Sequence, residues 1–334
     1  MNNNTAIKLA SYIKDITSIN NAASNAQKFN VLPSVQQTME RKVQELDTFL
    51  QKVNFVFPEA QQGQILKLGI NSSIASNTDT DTKQREGFDH HDLESFEYNC
   101  TQTNFDTAIK YSVLDMWAHD KNFTNIIREN IARQKALDRI KIAFHGVKRA
   151  KTSDKSTYPK LEDVNIGWLQ KWRSHAPERV LTGGADPSKI VISEQGDYKN
   201  LASLVHNCVN TLIDPVFNDD PSLVVICARK MLSDRYFAIL NQSNINSETV
   251  AANILLENRT ICGMQVIAPP FFPEDTILIT SLKNLAIYIQ LGSARRAIID
   301  NPARDRIENY ESCNEAYVVE EYRAGCLIEN IEVN

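Results

Sequence analysis

An α+β fold is predicted for this chain by three observations. A long amphipathic helical repeat occupies its middle, two alternating runs flank a polar insertion, and an extended acidic run closes it. At 334 residues, 42% of them hydrophobic, the chain has room for two compact domains or one with large extensions. The formal charge of −5 supplies no basic field to hold nucleic acid by its phosphates.

Taken in order, Leu9, Ile13 and Ile16, with Tyr12 and Ile19 beside them, predict a short amphipathic helix over residues 5–19. Polar NNAASNAQ follows as a joint. Met39, Val43, Leu46, Leu50 and Val53 then recur at intervals of four and three, the spacing of a second helix. NFVFP changes the preference to extended chain, closed by Pro58. ILKLGI reads as a strand, and FEYNCTQTNF, with Phe96, Tyr98 and Cys100 on one face, reads as its return. The polar stretch between them has almost nothing with which to build a core, so the pair is expected to project as a hairpin arm that orders on a neighbour.

NFTNIIRENIARQKALDRIKIAFHGVKRA carries the strongest helix signal. Phe123, Ile127, Ile131, Leu137, Ile140, Phe144 and Val147 form its expected core face. Arg128, Glu129, Arg133, Lys135, Asp138 and Arg139 supply charge away from that stripe, and Gly146 is a stop signal. About 24 helical residues make a rod of about 36 Å. After a surface link, GWLQKWRSHAPERV brings two tryptophans to a short helix. From about Gly196 a helix, a strand and a second helix over RKMLSDRYFAIL form a mixed module, followed by extended segments broken by proline. The end of the chain, NYESCNEAYVVEEYRAGCLIENIEV, alternates as a long strand. Tyr317, Val319 and Glu321 alternate with Val318, Glu320 and Tyr322. The run is long for a strand, so both of its faces are expected to meet protein over part of its length, with solvation of a strand face accounting for Glu320 and Glu321.

Reactive constellations are not found. Neighbouring side chains in His90-His91-Asp92 point to opposite faces of an extended segment and cannot readily share an ion. His119, His145, His175 and His206 stand alone. Gly183-Gly184 lacks a phosphate-binding pattern, and no GxSxG elbow occurs. Glu320-Glu321 and Asp219-Asp220 join neighbours in sequence, whereas acid–base pairs converge across a cleft. Lys148, Arg149 and Lys151 suit the negative end of the helix dipole. Six scattered cysteines without a CxxC pair read as buried hydrophobes. No catalytic, cofactor or metal residue is therefore assigned. The first residues lack a signal-peptide core, and no run approaches the roughly 20 apolar residues of a membrane span; a soluble chain made in the cytosol is expected.

Several long strings resemble the major capsid protein of tailed phages of the P-two type, within the Hong Kong ninety-seven shell fold. They are VLPSVQQTM, SIASNTDT, QKALDRIKIAFHGVKRAKTSD, GWLQKWRSHAPERV, LVVICARKML, APPFFPEDTILIT and ENYESCNEAYVVEEYRAGCLIENI. The resemblance runs from about Phe29 to Val333.

The resemblance implies an N-terminal segment, 1–29, removed on maturation by a cut near Phe29 and Asn30. It further implies an N-terminal arm over 30–57 and an extended loop over 58–105. A peripheral domain would span 106–199 and 297–334 with a spine helix at 122–147, and an axial domain 200–296. The terminal run would return beside the spine helix with Tyr317 and Val319 on its packed face and its glutamates as wet-face and inter-subunit charges. The implied function is self-assembly into pentamers and hexamers of an icosahedral head enclosing double-stranded DNA. Assembly would take place in the bacterial host cytoplasm. The implied partners are the chain itself, a scaffolding protein or maturation protease, and a portal protein. DNA would be touched only non-specifically, with no membrane and no cofactor. Two other readings remain at this stage: a tail or baseplate protein, which would form tubes or rings, and an enzyme using His206, Cys208 or the acidic runs.

Overall fold

The computed structural model describes residues 10, 14, 28–70, 75, 77–82, 84, 91–117, 123–232 and 260–333. The helix expected over 5–19, the hairpin tip, His90, His119 and most of the helix expected from RKMLSDRYFAIL lie outside the described residues.

Five helices are described: α1 Pro33–Glu45, α2 Tyr111–Trp117, α3 Phe123–His145, α4 Trp168–His175 and α5 Leu201–Leu212. Pro33 suits the first turn of α1, where its missing N–H costs nothing. The helical spacing through Val53 stops early, because the Asp47 carboxylate accepts the amides of Phe49 and Leu50 at 2.8 and 3.1 Å. Asn200 opens α5 with a reciprocal cap to Ser203.

The long strand Arg306–Val319 organises a seven-stranded sheet. One edge of it pairs with Leu285–Ile289 and Arg295–Asn301, the other with Thr101–Asn104 and Thr107–Lys110, all antiparallel. Lys28–Asn30 and Asn54–Val56 complete the sheet. A second, six-stranded sheet is ordered Thr260–Ile261, Met264–Ile267, Leu223–Cys227, Ile277–Ser281, Gly325–Ile328, Val180–Leu181. Pairing thus runs across the boundary expected at 296, since Leu285–Ile289 joins the terminal strand's sheet.

The acidic end of the chain is not one strand. It leaves the first sheet after Val319, turns through Tyr322–Ala324, enters the second sheet at Gly325, and pairs Ile331–Val333 with Ile190–Ile192. Asn284 pins the turn, donating to the Glu321 carbonyl and accepting the Glu321 amide. Gly325 is required after it, because a Cβ there would stand 2.8 Å from the Ile279 carbonyl.

Helix α3 lies on the face of the long strand formed by Cys313, Glu315, Tyr317 and Val319, all buried. Ile140 and Phe144 are buried, whereas Ile127, Ile131 and Leu137 are half-buried. Phe123 begins the helix, with its side chain outside the described set. Val147 departs from the expected stripe: Gly146 closes the last turn on Ile142, the chain veers to the Glu162 carbonyl, and Val147 is 46% exposed. One core joins α1, α3 and α4 to both large sheets through Phe49, Ile140, Trp168, Ile287 and Leu327, among others. A second packs α5 on Leu223–Cys227, Ile277–Ile279 and Cys326–Ile328.

The hairpin pairs Gln62–Ile70 with His91–Asn99 in unbroken antiparallel register, Gln62 against Asn99 and Ile70 against His91. Nine residues a strand carry it about 30 Å. Its base is anchored on the other face of the long strand, where Ile65, Tyr98 and Cys100 meet Tyr288, Ala316 and Val318.

Candidate functional site: a buried ion network and the cleft beneath the hairpin

Where α1, α3 and the long strand meet, charged side chains are enclosed together. Arg139 is 0% exposed. Its Nε donates to Glu315 at 2.9 Å, one terminal nitrogen to Glu40 at 2.5 Å, and the other toward Cys313 Sγ at 3.6 Å. Lys135, one turn earlier, donates to Glu40 at 2.8 Å and Glu311 at 2.7 Å. Phe105 covers both cations, its ring centre 4.8 Å from Lys135 Nζ and 5.5 Å from the Arg139 guanidinium carbon. Tyr317 donates its hydroxyl to Glu315 at 3.1 Å, and Asn165 donates to the Glu315 carbonyl at 3.0 Å.

This corrects two expectations. Lys135 and Arg139 face the interior, and Glu311 and Glu315 meet them there instead of solvent. Burial alone raises the pKa of Glu40, but the Arg139 and Lys135 charges and their hydrogen bonds outweigh it and hold the carboxyl at about 2. Glu311 is likewise raised by burial and then lowered further by Lys135 and Arg296. Burial drives the Cys313 thiol far above its ordinary range, removing it as a nucleophile. With the Glu40 and Glu311 carboxyls lowered and accepting from fixed cations, the network clamps three elements together.

The second feature is an open cleft of about 690 Å³ between the hairpin base and the body. Gln62, Gln64, Glu97 and Thr101 line one side, and Arg149, Ile166, Lys171 and His175 the other. Burial lowers the pKa of Lys171; burial and then the Lys171 charge lower that of His175.

The other residues singled out are dispersed. His145 Nε2 bonds the Phe271 carbonyl at 2.7 Å, and His206 lies exposed beside Asn210 on α5. Glu320 accepts the Tyr288 hydroxyl, Glu321 the Arg323 amide and Asp220 the Ser222 amide. Beside Gly183-Gly184, the Asp197 carboxylate accepts the Ala185 and Val191 amides. Lys148 donates to the Tyr158 hydroxyl and Arg149 to the Val164 and Gln102 carbonyls. Cys262 is exposed and the other cysteines are buried. Phe29 is half-buried and Asn30 exposed, in a three-residue strand at the edge of the seven-stranded sheet. Among the described residues, no group of three or more His, Cys, Asp or Glu could hold a metal, and no helix is long and apolar enough to cross a membrane.

The profile of the family described as phage major capsid protein, P2 family, matches residues 8–331. The capsid proteins of Escherichia phage P2 are 42% identical over 100% of this chain and 96% of theirs. The major capsid protein of Serratia phage KSP20 is 37% identical over 92% and 90%. A solved structure of the satellite phage P4 procapsid, which includes a size determination protein, matches with a TM-score of 0.81 at 41% identity. It covers 100% of this chain and 99% of that one.

Proposed function

The chain belongs to the P2 family of phage major capsid proteins, and from that premise we propose how its parts serve the shell. It is a major capsid protein of the P2 type with the Hong Kong ninety-seven fold, and the icosahedral head of the virion is built from it. Its contacts in the shell are with copies of itself.

The finer reading assigns 30–57 to an N-terminal arm, 58–105 to an extended loop, and 106–199 with 297–334 to a peripheral domain around the spine helix. Residues 200–296 form the axial domain, with strand 285–289 lent to the peripheral sheet. The ion network supports this reading, because it binds arm helix α1, spine helix α3 and the terminal strand into one stiff unit. A stiff unit suits a tile whose heterologous contacts must close into rings of five and six. Many modest interfaces then hold the shell without any one being strong.

Maturation cleavage near Phe29 and Asn30 is part of the proposal. The strand there is short, extended and at a sheet edge, so it can be drawn away to a protease more readily than a central strand. A scaffolding protein or maturation protease and a portal are the proposed partners, with a size determination protein of the kind named in the P4 procapsid. DNA is enclosed without specific contact, and no substrate is turned over.

Electron microscopy of the chain co-expressed with its scaffold tests the assembly reading. Closed isometric shells are expected; open tubes or rings, or a dispersed species, would overturn it.

A further inference from the structure

We propose that the cleft beneath the hairpin is a docking site for a carboxylate-bearing segment of a second copy of this chain, received by Lys171, His175 and Arg149. The inference deepens the shell reading by naming one of its contacts, and rests on that reading for the partner.

Lys171 and His175 stand four residues apart on α4, so both project from one side of the helix into the cleft, and Arg149 joins them in the same lining. Among the described residues, Lys171 has no carboxylate partner and no side-chain hydrogen bond, although it is drawn well out of solvent. Arg149 spends its guanidinium on the carbonyls of Val164 and Gln102, neither of which neutralises it. The lining carries one opposing charge, Glu97, on the exposed side of the hairpin base. Thr101 adds a buried hydroxyl that has no hydrogen-bond partner among the described residues.

A half-buried ammonium without a counter-ion destabilises the isolated chain. The cost is recovered when an anion arrives. A sibling chain supplies one, since 41 Asp and Glu exceed 36 Lys and Arg, and a shell brings many copies edge to edge. A peptide fits better than packaged DNA. Ile166 presents an exposed apolar side chain on the wall, which suits a neighbouring side chain, and a duplex is too wide for a cleft of about 690 Å³.

The test uses particles assembled from a mixture of isotopically light and heavy full-length chains, treated with a carbodiimide. The reagent activates a carboxyl group; the Lys171 amine attacks it, water is lost to the reagent as a urea, and an amide remains. Mixed light–heavy peptides joining Lys171 to an Asp or Glu are expected. Links only to Glu97 of the same chain, to a different protein, or none at Lys171 would overturn the proposal. In parallel, Lys171→Met is expected to leave the melting temperature of the unassembled chain unchanged or higher while reducing closed particles about tenfold, and Lys171→Arg to restore them. Wild-type particle yield from Lys171→Met, or its failure to fold, would also overturn the proposal. If the wild type formed only small oligomers the shell reading would fall, while mixed-isotope links at Lys171 in those oligomers would still uphold the cleft.

Discussion

Arg139 is a fully enclosed cation at the centre of the molecule, and its surroundings satisfy it with charge as well as hydrogen bonds. Lys135 and Arg139 face Glu40, Glu311 and Glu315, and Arg296 adds positive charge near Glu311. Removing one member leaves the others buried without compensation, which is costlier than never having had the set. Glu40→Gln, which keeps the shape and loses the charge, should therefore cost about 3–5 kcal/mol in denaturant unfolding of the unassembled chain. A loss below 1 kcal/mol, roughly the worth of a surface pair, would mean that water reaches the network. The pH dependence has a definite sign. Glu40 is held from its ordinary 4.5 down to about 2, so its contribution is present above pH 4.5 and is lost as pH falls toward 2. That contribution is on the order of 3 kcal/mol, and an acid titration of wild type against Glu40→Gln should show the two stabilities converging over that window. None of this could be read in the sequence. Helical spacing picks out apolar residues and assigns charges to solvent, yet the partners of Lys135 and Arg139 lie 95 to 176 residues away along the chain. Ile140 was legible, because a buried isoleucine obeys the periodicity.

The junction between α3 and α4 depends on two residues that lack side chains. Gly167 donates its amide to the Gly146 carbonyl at 2.9 Å, and the backbones pass so closely that a Cβ on Gly167 would stand 2.3 Å from the Ile142 carbonyl and 2.4 Å from that of Ala143. Those neighbours are backbone and cannot rotate aside. Gly167→Ala should push α4 off α3 and disturb Trp168, whose ring meets Phe49, Phe144 and Tyr317 and whose Nε1 donates to the Ala286 carbonyl. A loss of about 1–3 kcal/mol is expected, with altered tryptophan fluorescence. Gly292→Ala is the control: its φ of +72° brings conformational strain, but nothing lies within 4 Å of the added methyl. Equal losses from the two would show that close approach is not what Gly167 provides. Gly146 was readable as a helix stop, and the long helix and hairpin were readable by period. The terminal run was misread as one strand because alternation continues through Glu320 to Ile328, while the turn that moves it between sheets is set by Asn284, a distant residue.

At the scale of the whole molecule, the base of the hairpin and its outer part stand in different surroundings. Both faces of the long strand are covered near Tyr317, one by α3 and α4 and the other by the hairpin base, so the base belongs to the body's core. Beyond Ile65 and Phe96 the hairpin's two strands pair with each other, and it is this outer part that a neighbour is expected to receive. The strings that resemble capsid proteins made the family legible across nearly the whole chain, but not this division, because anchoring depends on contacts such as Tyr98 with Tyr288, 5.0 Å between ring centres. The division can be tested by replacing residues 67–94 with Asn-Gly, closing the Leu66–Ser95 pair by a two-residue turn. Ile65, Phe96 and Tyr98 keep their places, so unassembled chains should unfold within about 1 kcal/mol of wild type, as for a surface change. Closed shells should be absent, since each copy loses the ordered contact its neighbour would otherwise receive. Normal shells would make the hairpin dispensable to assembly, whereas loss of folding would show that the outer strands belong to the body.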